Sequence, residues 1–170
     1  MAEVEIFTPT GVFAGSTMRI PLSNNGPDLT MPLTLTDARW YPIDGAQPSH
    51  RGDLKVPPDD ILLIVTPEIE MTVHMTWYAI TLEVGPYRVA GSLATHPGFD
   101  PERALARPGS TFVSLREATI ELIDRDDVAR ATREHVHVNR YAVERVASSL
   151  MLGFYFPGAT LAPQEAAPVG

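Results

Sequence analysis

The sequence contains no cysteine. Disulfides, thiolate metal sites and cysteine nucleophiles are therefore excluded, a usage that fits a reducing compartment. Basic residues are scarce: thirteen Lys and Arg, with Lys55 the one lysine, stand against twenty-one Asp and Glu, for a formal charge of -8. A polyanion is bound by neutralising several phosphates at once, and no Lys/Arg run supplies that patch, so nucleic acid is disfavoured as a partner. No stretch approaches the roughly 20 apolar residues of a membrane helix. The segment Met1 to Glu5 lacks the basic and apolar regions of a secretory signal, so a cytoplasmic protein is expected. The Gly-x-Ser-x-Gly elbow, the Walker A loop, the dinucleotide Gly-x-Gly-x-x-Gly and His-Glu-x-x-His are all missing, and the sequence offers no catalytic residue and implies no cofactor.

What the chain does contain is apolar residues, 44% of the total, broken up by sixteen prolines and twelve glycines. That punctuation is too frequent for long helices. The apolar positions also recur. Val4 to Ser16 lies without a gap on Ile80 to Ser92, pairing Ile6 with Leu82 and Ala14-Gly15-Ser16 with Ala90-Gly91-Ser92. Leu33 to Asp44 lies on Val113 to Asp124, and Val56, Ile61 and Ile64 fall on Val138, Val143 and Val146. These collinear blocks are offset by 76, then 80, then 82 residues, which reads as strands held in order with small loop insertions between them. Period-two alternation, as in His135-Val136-His137-Val138, makes the blocks strands. The paired Gly15 and Gly91 inside them predict a bulge or sharp bend.

The expectation is thus an all-β chain of two tandem five-stranded modules related by internal duplication. The first module spans 1–67. A connecting strand and the second module span 68–149, and an apolar segment with a mobile tail spans 150–170. Alternation from Ile69 to Trp77 predicts a long strand entering the second module. Asp100-Pro101 predicts one helical turn through Leu105, and Asp126 to Arg133 a second.

Each module resembles the Sm-like (LSm) barrel, a strongly bent five-stranded antiparallel sheet. Gly91-Ser92-Leu93, Phe112 to Asp124 and Val136 to Val146 stand in the places of that family's early Gly-x-Leu strand, its paired strands ending in an acidic turn, and its final strand pair. Tyr87-Arg88-Val89-Ala90-Gly91, with Val136, Val138, Arg140 and Val143, is also similar to small bacterial domains with a YRVxG strand. The RNA-reading Asp-x-x-Met-Asn loop is replaced by Thr95-His96-Pro97-Gly98, and the family's Arg-Gly by Asn139-Arg140-Tyr141, so RNA binding does not carry over and its residues are unassigned. What the resemblance implies is assembly through sheet edges, three tandem chains closing a six-module ring.

Candidate sites are few. Leu150, Met151, Leu152, Phe154, Tyr155 and Phe156 form the apolar segment best suited to an interface, or to closing a groove within the chain. His135 and His137 share a strand face and are weak metal candidates, with His74, His50 or Glu134 as helpers. The plainer expectation is that they lie on a solvated face. Asp124, Asp126 and Asp127 crowd a turn without the calcium-loop spacing. Arg51-Gly52-Asp53 is taken as a chance tripeptide, and Trp40 and Trp77 as core. A non-enzymatic interaction or assembly module, homo-oligomeric or bound to a protein partner, is the leading reading. An Sm-like RNA-binding protein and a metal or small-molecule sensor are the alternatives.

Overall fold

A computed structural model describes residues 1–18, 22–23, 26–27, 31–67, 76–95, 111–125, 130–148 and 156–163. The chain is all-β. Its strands are β1 (Ala2–Thr8), β2 (Gly11–Thr17), β3 (Leu22–Ser23), β4 (Gly26–Pro27), β5 (Leu33–Pro42), β6 (Ser49–Val56), β7 (Leu63–Val65), β8 (Thr76–Val84), β9 (Tyr87–Thr95), β10 (Phe112–Leu122), β11 (Ala131–Asn139), β12 (Val143–Ser148) and β13 (Thr160–Pro163). One 3-10 turn, Pro58–Asp60, precedes β7. Among the described residues no helix is long and apolar enough to cross a membrane.

Strands β3 and β4 form a small hairpin, and all the others join one eleven-stranded sheet in the order β13-β12-β8-β9-β10-β11-β7-β1-β2-β5-β6. Within it the strands of the front half run β7-β1-β2-β5-β6 and those of the back half β12-β8-β9-β10-β11, so each half places its fifth strand beside its first. The registers agree as well. Val4 faces Gly15 as Ile80 faces Gly91. Phe13 faces Trp40 as Val89 faces Ile120, Leu35 faces Leu54 as Leu115 faces Val136, and Ile6 faces Ile64 as Leu82 faces Val146. A one-residue slip in any ladder would turn every side chain of a strand to the other face, so matched registers mean matched inward positions.

The bend glycines have a local cause. The third strand of each half is bulged beside its glycine, and there Asp37 and Glu117, non-glycine residues, take φ of 54° and 50°. A Cβ on Gly15 would sit 3.1 Å from the Thr36 carbonyl oxygen, and one on Gly91 3.0 Å from the Ala118 methyl. Glycine therefore lets the bulged strand approach its neighbour closely enough to bend the pair.

Two apolar clusters sit along the sheet. One gathers Val4, Ile6, Leu33, Leu35, Ala38, Val56, Ile61 and Ile64; the other gathers Ile80, Leu82, Val89, Leu93, Leu115, Ile120, Val136, Val138 and Val146 among others. They interlock where the halves meet. Phe112 from the back half enters the first cluster, while Phe7, Leu63 and Val65 from the front half enter the second.

Some expectations change. Ala131–Arg133 belong to strand β11 rather than to a helical turn, because Ala118, Thr119 and Ile120 of β10 take them as ladder partners. Trp77 is 37% exposed, with the Arg116 guanidinium over its ring at 5.6 Å, and is not core. Trp40 is half-buried against Phe13. The turn at Asp100 to Leu105, residues Asp126 and Asp127, and the connector from Ile69 to Met75 lie outside the described residues.

Candidate functional site

The features that distinguish this sheet are its seam and its two ends. The seam forms where β7, the fifth strand of the front half, pairs antiparallel with β11, the fourth strand of the back half. Both strands are buried here on both faces. Leu63, Ile64 and Val65 face Val138, His137 and Val136 in register, and all six are buried.

Polar groups clasp the seam on each side. The Asn139 backbone N–H donates to the Leu62 carbonyl at 2.9 Å, and its Nδ2 donates to the Ile61 carbonyl at 3.1 Å. His137 is held between Thr66 Oγ1 at Nε2 and Ser114 Oγ at Nδ1, both at 2.9 Å. A neutral imidazole donates through one nitrogen and accepts through the other, and each hydroxyl can meet either need. Burial pushes the His137 pKa down to about 4, with the nearby His135 adding to the effect. At the rim Arg133 grips the Glu5 carboxylate with two bonds, of 2.6 and 3.0 Å. The Tyr87 hydroxyl donates to the Thr8 carbonyl at 2.7 Å, its ring meets Phe7 edge-on, and burial raises its pKa.

The sheet ends differ from the seam and from one another. Strand β6 ends the sheet on one side, with His50, Arg51, Asp53 and Lys55 exposed. Charges, lysine in particular, are a common guard on an edge strand. Here the Asp53 carboxylate accepts from the Asp37 backbone N–H at 3.2 Å, and His50 bonds to the Asp37 carboxylate, holding its pKa below the ordinary value. The Arg51-Gly52-Asp53 tripeptide is thus part of a strand beside the bulge.

At the other end β12 is flanked by β8 and by β13, which pairs in parallel. Its ladder sets Thr160, Leu161 and Ala162 against Arg145, Val146 and Ala147. By ladder position those three residues of β12 match Leu63, Ile64 and Val65 of β7. So β13 sits on β12 where β11 sits on β7.

Of the six sequence-predicted interface residues, Phe156 is fully buried in the second apolar cluster, just ahead of β13. Leu150, Met151, Leu152, Phe154 and Tyr155 lie outside the described residues. The metal candidates His135 and His137 are 7% and 2% exposed, so the solvated face expected for them is corrected: His137 lies level with the buried Ile64 of β7, and its ring is bonded on both sides by Thr66 and Ser114. The partners of His137 are hydroxyls, and among the described residues no three His, Cys, Asp or Glu gather as a metal set. His74 lies outside the described residues, and His50 is on β6, at one end of the sheet.

Sequence inspection missed Asn139, Tyr87 and Phe112 as seam residues. The partners of the Asn139 amide nitrogen and the Tyr87 hydroxyl across the seam lie 76 to 79 residues away, and no local pattern marks such a contact. No protein-family model, curated protein or solved structure matches the chain.

Proposed function

We propose that this chain is a non-enzymatic assembly module: two copies of one five-stranded Sm-like barrel, related by internal duplication, that join further copies of the chain edge to edge. Duplication is supported by ladders that recur in the same register, with the same bulge over the same glycine. A bulge bends its strand, so the matched bulges support a barrel-like closure of each half.

The observation that carries the assembly reading is the seam. It is a head-to-tail contact between a fourth strand and a fifth strand, and the outermost strands of the two halves are of the same two kinds, β6 at one end of the sheet and β12, beneath β13, at the other. A heterologous contact of this sort propagates, closing into a ring or running on as a filament. A second copy's β6 would offer Leu54, Lys55 and Val56 to β12 in the places that Val136, His137 and Val138 take on β7.

That outer contact is weaker by composition. Lys55 stands in the place of the buried His137, Pro57 in the place of Asn139 with no N–H to donate, and Thr81 in the place of Glu5. The seam is therefore permanent and the outer contact reversible. Assembly is concentration-dependent, and a net charge of -8 on every copy makes it stronger at higher salt.

Light scattering over a wide concentration range tests this. The mass is expected to rise from 18.6 kDa toward whole multiples of it. A mass fixed at 18.6 kDa up to the solubility limit, at both low and high salt, overturns the proposal.

A further inference from the structure

We infer that β13 is a built-in plug on the acceptor edge of β12, and that it must leave before another copy's β6 can pair there. This inference rests on the assembly proposal and adds its regulation.

Position is the first support. The outer edge of β12 is the acceptor in any repeat of the seam, and β13 covers Arg145, Val146 and Ala147, the three residues that match the β11-binding residues of β7. Two strands cannot share one row of backbone donors and acceptors, so β13 and an incoming β6 exclude one another.

Relative strength is the second support. Strand β13 has four residues and ends in Pro163, which has no N–H to add. Its Thr160 and Leu161 side chains are exposed, Leu161 by 50%. On the matching edge of β7, by contrast, Val136 and Val138 are fully buried and Asn139 adds two further bonds. The plug therefore has little side-chain burial to hold it.

Tethering is the third. Phe156 is fully buried, and between it and β13 the chain turns at Pro157 and Gly158, the latter at φ +81°. A released β13 stays anchored by that ring, so release and recapture need no rebuilding of the core.

Two full-length variants test the plug. In the first, Thr160→Pro with Leu161→Pro removes adjacent N–H donors. Alternate residues of a strand bond to a given neighbour, so one of the two prolines deletes a ladder bond whichever set is in use. In the second, Ala147→Cys with Ala162→Cys places a pair of thiols on ladder partners in a chain that has no other cysteine.

Release is expected to lower the midpoint concentration of assembly by about tenfold or more, the factor by which a plug closed at least nine-tenths of the time weakens apparent affinity. The oxidised lock is expected to stay at 18.6 kDa and to regain assembly on reduction. Unchanged midpoints in both variants, with the unaltered chain still assembling, overturn the plug and leave the assembly proposal standing. If the unaltered chain stays at 18.6 kDa up to the solubility limit at both low and high salt, the assembly proposal itself falls and takes the plug with it.

Discussion

The edges of β7 and β12 stand at matching positions in the two halves of one sheet and have different occupants. On β7 the occupant is β11, buried on both faces and clasped by Asn139, His137 and Arg133. On β12 it is β13, short, parallel and half exposed. The backbone offers both edges the same opportunity, so what separates a permanent joint from an exchangeable one is the side chains around it. Apolar burial contributes roughly 25 cal/mol per Å², and a backbone ladder adds modestly because it replaces bonds to water.

The sharpest way to break this comparison is to truncate one apolar residue on each edge. Leu63→Ala at the seam is expected to cost about 2–5 kcal/mol, since a fully buried side chain leaves a cavity. Leu161→Ala on β13 is expected to stay within about 0.5 kcal/mol. Urea unfolding measures both, and similar losses would mean that the two edges do not differ as described.

Acid titration comes next. With His137 pushed down to about 4 in the folded chain and at 6.5 when unfolded, the unfolded chain takes up a proton first as pH falls. Stability is therefore full above about pH 6.5 and declines as pH drops toward 4, by up to roughly 3 kcal/mol. A His137→Gln variant is expected to flatten that part of the profile, and an unchanged slope would place the titration elsewhere.

Smaller effects refine the account of the clasp. Asn139→Ala leaves the Ile61 carbonyl without its side-chain donor and is expected to cost about 1–3 kcal/mol. Arg133→Gln breaks a partly exposed ion pair with Glu5 and is expected to cost about 1 kcal/mol or less, with the loss shrinking in salt. A larger effect at Arg133 than at Asn139 would reverse the proposed ranking of rim and interior.

Much of the strand framework was legible in the sequence. The offsets that align Val4 with Ile80, Leu33 with Val113 and Ile64 with Val146 are the offsets at which the ladders correspond, because inward apolar positions fix register. Gly15 and Gly91 mark where the facing strand bulges, because a Cβ there would crowd that strand. The seam was not legible. The alternation of His135 to Val138 correctly suggests a strand with two faces, yet it cannot say that the histidine side is buried as well. Nor does anything near Thr160 to Pro163 in sequence mark an edge-capping strand, whose identity depends on a partner fifteen residues earlier in the chain.

The central claim is that β6 of one copy meets β12 of another in the register of the seam. The most direct measurement is oxidative cross-linking of the full chain carrying Leu54→Cys and Ala147→Cys. These positions correspond to the seam partners Val136 and Val65. Lys55→Cys with Ala147→Cys serves as the control, one residue out of register and on the opposite face. The account predicts a ladder of covalent multiples of the chain from the first pair and single chains from the second. No ladder from the first pair, or equal ladders from both, would contradict it.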